Sequence, residues 1–200
     1  MGRFDRQDGY TLIDTLIVVG LIGTLSAMAI PVIGSASASR RLRNDAEALT
    51  SLVSLAKMRA SSTFTRARVR VNTLDNTYVL ERWDKTSDAW VIEGNTQRLS
   101  SNATFTFGSI STPPPNTQTV ITLSPQCRTG VATGSGAIGN TACIVFNSRG
   151  LPVDGDGGLF GGHAFYLTDG SAVYATTVTA TPRIRLWWTG ANATNWSQQQ

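Results

Sequence analysis

The spacing of apolar positions changes twice along this chain. From Thr15 to Ser39 no residue carries a charge, and Leu16–Val19, Leu21, Ile22, Leu25, Ala27–Ile30 and Ile33 leave the stretch apolar nearly all round. A helix crosses a bilayer with about 20 such residues, so residues 12–33 are expected to span a membrane. From Leu42 the apolar positions recur at alternating steps of four and three: Ala46, Leu49, Val53, Ala56 and Ala60, with Asn44, Glu47, Ser51 and Ser54 opposite them. That is the stripe of an amphipathic helix packed on a core. The two halves together predict one helix from Tyr10 to about Ser62. Pro31, which lacks an amide hydrogen, is expected to loosen it, as are Gly20, Gly23 and Gly34.

From Phe64 the period falls to two. The alternation predicts strands at Ala67–Asn72, Tyr78–Trp83, Trp90–Glu93, Thr104–Phe107, Val120–Leu123, Ala142–Phe146, Ala164–Leu167, Val173–Thr179 and Ile184–Trp188. Leu74–Thr77, Lys85–Asp88 and Thr168–Ser171 have the residue types of hairpin turns. Pro113, Pro114 and Pro115 predict an extended loop. Short, turn-linked strands after one long helix give an α+β class: antiparallel sheets forming a head over residues 63–200, packed on the amphipathic half of the helix. The polar tail, 189–200, is expected to be mobile.

Charge and cysteine content refine that picture. Two of the 17 basic residues (Arg3, Arg6) and three of the 13 acidic ones (Asp5, Asp8, Asp14) precede Arg40, so residues 40–200 hold 15 against 10. The bias is modest and does not by itself specify a polyanionic partner. Arg40, Arg41 and Arg43 directly follow the apolar run, and by the positive-inside rule they would place the head in the cytoplasm. The cysteines argue the other way. Cys127 and Cys143 flank a Gly/Ala/Thr-rich segment, and an even pair in a loop-rich head reads as a disulfide formed in an oxidising compartment. With His163 as the sole histidine, a zinc site is not expected.

The start of the chain departs from a secretory signal. In such a signal the small-residue cleavage site follows the apolar core, whereas here Gly9 precedes it, so cutting after Gly9 would retain the apolar helix. Gly9-Tyr10-Thr11-Leu12-Ile13-Asp14, with Pro31 as the twenty-second residue counted from Tyr10, resembles the class III leader of type IV pilins and pseudopilins. The resemblance implies removal of leader 1–9 by a prepilin peptidase, N-methylation of Tyr10, and assembly of helix 10–62 with other pilins into a filament. The family's usual glutamate is here Asp14. A carboxylate at the edge of an uncharged stretch is costly to bury unpaired. Two readings answer this equally on the acid alone, pairing with the amine of a neighbouring Tyr10 or a helix-start acid suited to the macrodipole; the flanking Gly9 and Pro31 favour pairing. Leu52–Ala60, Val69-Arg70-Val71 and Val145-Phe146-Asn147-Ser148-Arg149-Gly150 resemble the GspH/FimT-type branch of minor pilins and pseudopilins. That resemblance implies a bacterial inner-membrane protein, its head in the periplasm, serving a type IV pilus or type II secretion filament.

The remaining motifs carry less chemistry. Thr181-Pro182-Arg183-Ile184-Arg185 matches the two arginines of a Gly-Arg-x-Arg motif in DNA-uptake pilins, with Pro182 at the glycine. In a strand, Arg183 and Arg185 would share one face and meet a phosphate backbone, with Trp187, Trp188 and Trp196 available for base stacking if exposed. The alternative is a closing strand with Ile184 and Leu186 inward and two solvated arginines. Asp154-Gly155-Asp156-Gly157-Gly158 lacks the later acid of a helix-loop-helix calcium site and reads as a glycine-rich turn. His163 reads as a loop residue. No nucleophile or phosphate-loop spacing occurs, so neither enzymatic activity nor a cofactor is expected. Asn102, Asn192 and Asn195 stand in three-residue glycosylation patterns that are frequent by chance.

Overall fold

The computed structural model describes residues 11–199, and the side chains of all of these except residues 27–38. Gly9 and Tyr10 lie outside the described residues, as does the Pro31 side chain. The chain divides into two units, residues 1–38 and residues 39–200. Helix α1 (Leu12–Ser62) supplies the described backbone of the first unit and the opening element of the second.

Thr11 opens α1 with a reciprocal cap. Its hydroxyl and its backbone amide donate to Asp14 Oδ2 at 2.7 and 3.2 Å, and the Asp14 amide returns a longer bond to Thr11 Oγ1 at 3.4 Å. This is a capping box, with the shorter aspartate where glutamate is usual. It satisfies amides that the first helical turn leaves orphaned.

In the second unit the four-and-three stripe is buried as its spacing predicts: Leu42, Ala46, Leu49, Val53, Ala56 and Ala60 are all inaccessible to solvent or nearly so. Two antiparallel sheets receive that stripe. The first has the order β3-β2-β1-β4-β5, from β1 (Ala67–Asn72), β2 (Thr77–Asp84), β3 (Ala89–Arg98), β4 (Thr141–Phe146) and β5 (Pro152–Val153). The second runs β6-β7-β8-β9, from β6 (His163–Thr168), β7 (Ala172–Val178), β8 (Ile184–Gly190) and β9 (Ser197–Gln199). Val69, Val71, Leu80, Ile144 and Phe146 of the first sheet join Phe165, Leu167, Val178 and Leu186 of the second in one core around the helix stripe. Because strand side chains alternate, Ala164, Tyr166, Val173, Ala175 and Trp187 face away from that core and make a second one with Ile110 and Ile121.

All three expected hairpin turns form. Asn76, Asp88 and Gly170 adopt positive φ within them, the conformation that Asn, Asp and Gly tolerate best. Another turn explains the Val145–Gly150 motif. Asn147 Oδ1 accepts from the amides of Arg149 and Leu151, and Gly150 sits at φ +71°, where a Cβ would lie 2.7 Å from Ser61 Oγ at the end of α1.

Five sequence expectations need correction. Thr104–Phe107 and Val120–Leu123 are not strands; Thr104 makes only an isolated bridge to Thr168. Their apolar residues Phe105 and Ile121 are nevertheless buried, Phe105 edge-on to Tyr78 and Ile121 in the second core. β3 runs five residues beyond Glu93, through Gly94 at φ +88° and a register shift opposite Tyr78/Leu80. The tail is not free: Ser197–Gln199 pairs with Leu186–Trp188 as β9. His163 is a strand residue, the first of β6, with 1% of its surface exposed.

Candidate functional site

The first unit presents an apolar surface that nothing in the described chain covers. Leu12, Ile13, Leu16, Ile17, Val18, Val19, Leu21, Ile22 and Leu25 are each more than half exposed. Soluble monomers rarely expose contiguous apolar patches beyond a few hundred Å². Gly20 and Gly23 interrupt it, and a Cβ at either would meet no atom within 4 Å. Among the described residues no helix is long and apolar enough to cross a membrane. The span expected over 12–33 runs into residues 27–38, whose side chains lie outside the description.

The head's other notable feature is on the outer face of the first sheet. In β1 the residues alternate Arg68, Val69, Arg70, Val71, so the valines enter the core and the arginines point away from it. That outer face is not solvated. Cys127 and Cys143 form a disulfide with an S–S distance of 1.99 Å, and the loop it closes lies over the arginines. Arg68 Nη1 donates to the Arg128 carbonyl at 2.6 Å, and Arg66 Nη1 to the Val131 carbonyl at 2.9 Å. Arg68 Nε also donates to Glu81 Oε2 at 2.6 Å from the facing position on β2. Arg70 Nε lies 2.9 Å from the other Glu81 oxygen, as an ion pair too bent for a hydrogen bond. Both Arg68 and Glu81 are buried. Burial pulls the Arg68 guanidinium below its ordinary pKa, and Glu81 pushes back. The guanidinium stacks 3.9 Å from the centroid of the Trp90 ring, a cation–π contact.

The Asp154–Gly158 segment is a turn against the same cluster. Asp154 Oδ1 accepts from the amides of Asp156 and Gly158 at 3.0 and 2.8 Å, so this carboxylate organises its own backbone. A Cβ at Gly155 would collide with Arg128 Nε, and one at Gly157 would lie 2.8 Å from Arg66 Nη2. Glycines there let backbone approach guanidinium. Among the described residues no group of His, Cys, Asp and Glu is disposed to hold a metal. His163 packs edge-on to Phe160, and burial lowers its pKa to about 4, opposed by the Val153 backbone and the Asp154 carboxylate.

In the second sheet, Arg183 lies just outside the strand that holds Arg185. β8 begins at Ile184, and Arg183 precedes it in a turn closed by hydrogen bonds with Thr179. Pro182, at the position of the motif's glycine, gives its carbonyl to Lys57 Nζ at 3.1 Å. Arg185 is half-buried, its guanidinium carbon 6.0 Å from the Trp187 ring centroid. Trp187 is buried with its Nε1 donating to Thr177 Oγ1, and Trp196 Nε1 donates to the Thr112 carbonyl. Of the three tryptophans, Trp188 alone is classed as exposed.

Of the residues sequence reasoning singled out, Asp14 belongs to the first unit; within the second, Cys143 lies in β4 and Arg185 in β8, on different sheets. Sequence reasoning missed the Arg66, Arg68, Trp90, Arg128 and His163 cluster. The alternation of arginine and valine in β1 was a readable signal; the loop that buries those arginines was not.

No protein-family model and no curated protein matches the chain. Two solved structures of the minor pseudopilin EpsH from the type II secretion system of Vibrio cholerae are similar to it. One is 10% identical with a TM-score of 0.45, covering 76% of this chain and 99% of that one. The other is 11% identical with a TM-score of 0.44, covering 74% and 93%.

Proposed function

We propose that this chain is a prepilin-like subunit: a minor pilin or pseudopilin, serving as a structural or tip and assembly component of a type IV pilus or type II secretion filament. One observation carries the reading. An apolar helix surface is left uncovered on a chain whose leader-like Gly9 stands ahead of that helix, so maturation would keep it. In this reading the prepilin peptidase cuts between Gly9 and Tyr10, Tyr10 is N-methylated, and the helix rests in the inner membrane until assembly. Helices of neighbouring subunits then pack side by side in the filament. The Asp14 carboxylate, already capping its own helix through Thr11, meets a neighbour's Tyr10 amine. Pro31 eases the helix into its packed form.

The head faces the periplasm, and the disulfide supports that placement, since such bonds persist in oxidising compartments. The role is structural rather than enzymatic and uses no cofactor. A DNA-uptake role would rest on Arg183 and Arg185; no observation favours it, because Arg185 is half-buried and the adjacent Trp187 is buried. The test of the main reading is maturation in a host with a prepilin peptidase. Gly9→Ala is expected to leave the full-length precursor uncut, while the parent chain yields a product beginning at methylated Tyr10. A mature product beginning beyond Ser39 would overturn the reading.

A further inference from the structure

Among the described residues, buried side-chain nitrogens without a well-formed hydrogen bond occur on Arg70, Trp90 and His163; both His163 ring nitrogens are among them, although the Val153 backbone lies near enough to the imidazole to oppose the lowering of its pKa. Trp90 and His163 line the same small cavity, together with Arg66, Arg68, Arg128 and Asp154. Unsatisfied buried donors are costly and call for an explanation. An indole N–H can only donate, so whatever completes Trp90 must accept. The cavity measures about 20 Å³, room for one occupant the size of a water molecule.

Charge decides what kind of occupant. Around the cavity and its adjoining ion pairs stand four guanidinium groups: Arg66, Arg68, Arg70 and Arg128. Three carboxylates oppose them. Glu81 is shared by Arg68 and Arg70, Asp156 lies 3.8 Å from Arg128, and Asp154 is engaged by its own turn. One positive charge is left over, carried by the partly exposed Arg66, Arg70 and Arg128 beside the buried Arg68–Glu81 pair. We propose that the cavity is a binding site for a single monovalent halide-sized anion, chloride in the cell, held by the Trp90 indole, the His163 imidazole and the surrounding arginines. The anion would join the first sheet, the disulfide loop and the Asp154–Gly158 turn, since all three contribute to the wall. The site is independent of the filament role and stands or falls separately.

The test uses the full chain in detergent, with sodium chloride replacing sodium gluconate at constant ionic strength. The melting temperature is expected to rise saturably, by ~5 °C or more at 100 times the dissociation constant. His163→Phe keeps the aromatic packing on Phe160 but removes both nitrogens, and is expected to flatten the chloride response. Crystals soaked in bromide are expected to show an anomalous peak between Trp90 and His163, a result that does not depend on any variant folding. A melting temperature indifferent to the exchange, an undiminished response in folded His163→Phe, or a cavity holding water with no bromide peak would each overturn the proposal.

Discussion

Reduction of the Cys127–Cys143 bond tests how the head is held together. The cysteines are 16 residues apart, and closing a loop of that size removes about 3 kcal/mol of entropy from the unfolded chain. The native loop has independent supports. The Cys143 amide donates to the Pro125 carbonyl at 2.8 Å, Ile138 to Cys127 at 2.7 Å, and Thr129 to Gly136 at 2.9 Å, while Thr141 Oγ1 accepts from the Cys127 amide at 3.2 Å. Arg66 and Arg68 hold two further carbonyls of the loop. The folded state should therefore keep its shape on reduction, and the loss should fall on the unfolded side. Guanidinium unfolding of the full chain in mild detergent, followed by the fluorescence of the Trp83–Trp90 pair, is the assay; these rings lie 5.3 Å apart, edge to face. Comparing oxidised with reduced protein, rather than with a cysteine variant, leaves the buried sulfur atoms in place. The expected difference is about 3 kcal/mol, equivalent to roughly 6–12 °C in melting temperature for a unit of this size. The near-ultraviolet circular dichroism of the folded protein should be unchanged. A difference below about 1 kcal/mol would refute the loop-entropy account, and a loss of native signal on reduction would refute the claim that hydrogen bonds suffice to hold the loop.

Four further outcomes are expected. Leu49→Ala, at a fully buried position of the helix stripe, should cost about 2–5 kcal/mol by the same unfolding assay, while Leu55→Ala on the exposed side should stay within about 0.5 kcal/mol. Gly150→Ala should destabilise by about 1–3 kcal/mol, because it combines positive φ with a contact on Ser61. His163, lowered to about 4 from an ordinary 6.5 by burial, binds its proton more readily unfolded than folded. Its contribution is complete above about pH 6.5 and is lost as pH falls through about 4; in chloride-free buffer it amounts to as much as ~3 kcal/mol. His163→Phe should flatten the stability profile across that window, measured by urea titration at successive pH values. For DNA, Arg183→Ala/Arg185→Ala should leave retardation by the protein at low salt unchanged; loss of retardation would revive the DNA-uptake reading.

Much of this molecule is determined by local periodicity, which is a property of the sequence alone. Steps of four and three put Leu42 through Ala60 on one helix face whatever they pack against, and alternation in β1 sends Val69 and Val71 one way and Arg68 and Arg70 the other. Turn residues such as Asn76 and Gly170 act through their own φ preferences, so the hairpins they close were equally legible. Thr104–Phe107 and Val120–Leu123 have apolar residues that suit a strand, but Phe105 is satisfied by packing on Tyr78 and Ile121 by the second core, a choice no local pattern records. Ser197–Gln199 has no strand signal and pairs because β8 offers it an open edge. Tertiary structure alone decided that a disulfide loop and a glycine turn would close over the β1 arginines and bring Trp90 and His163 to one cavity. These residues are separated by up to about a hundred positions, and their meeting depends on how two sheets share one helix. Periodicity identifies which face of an element is buried; only the assembled fold determines what covers the other.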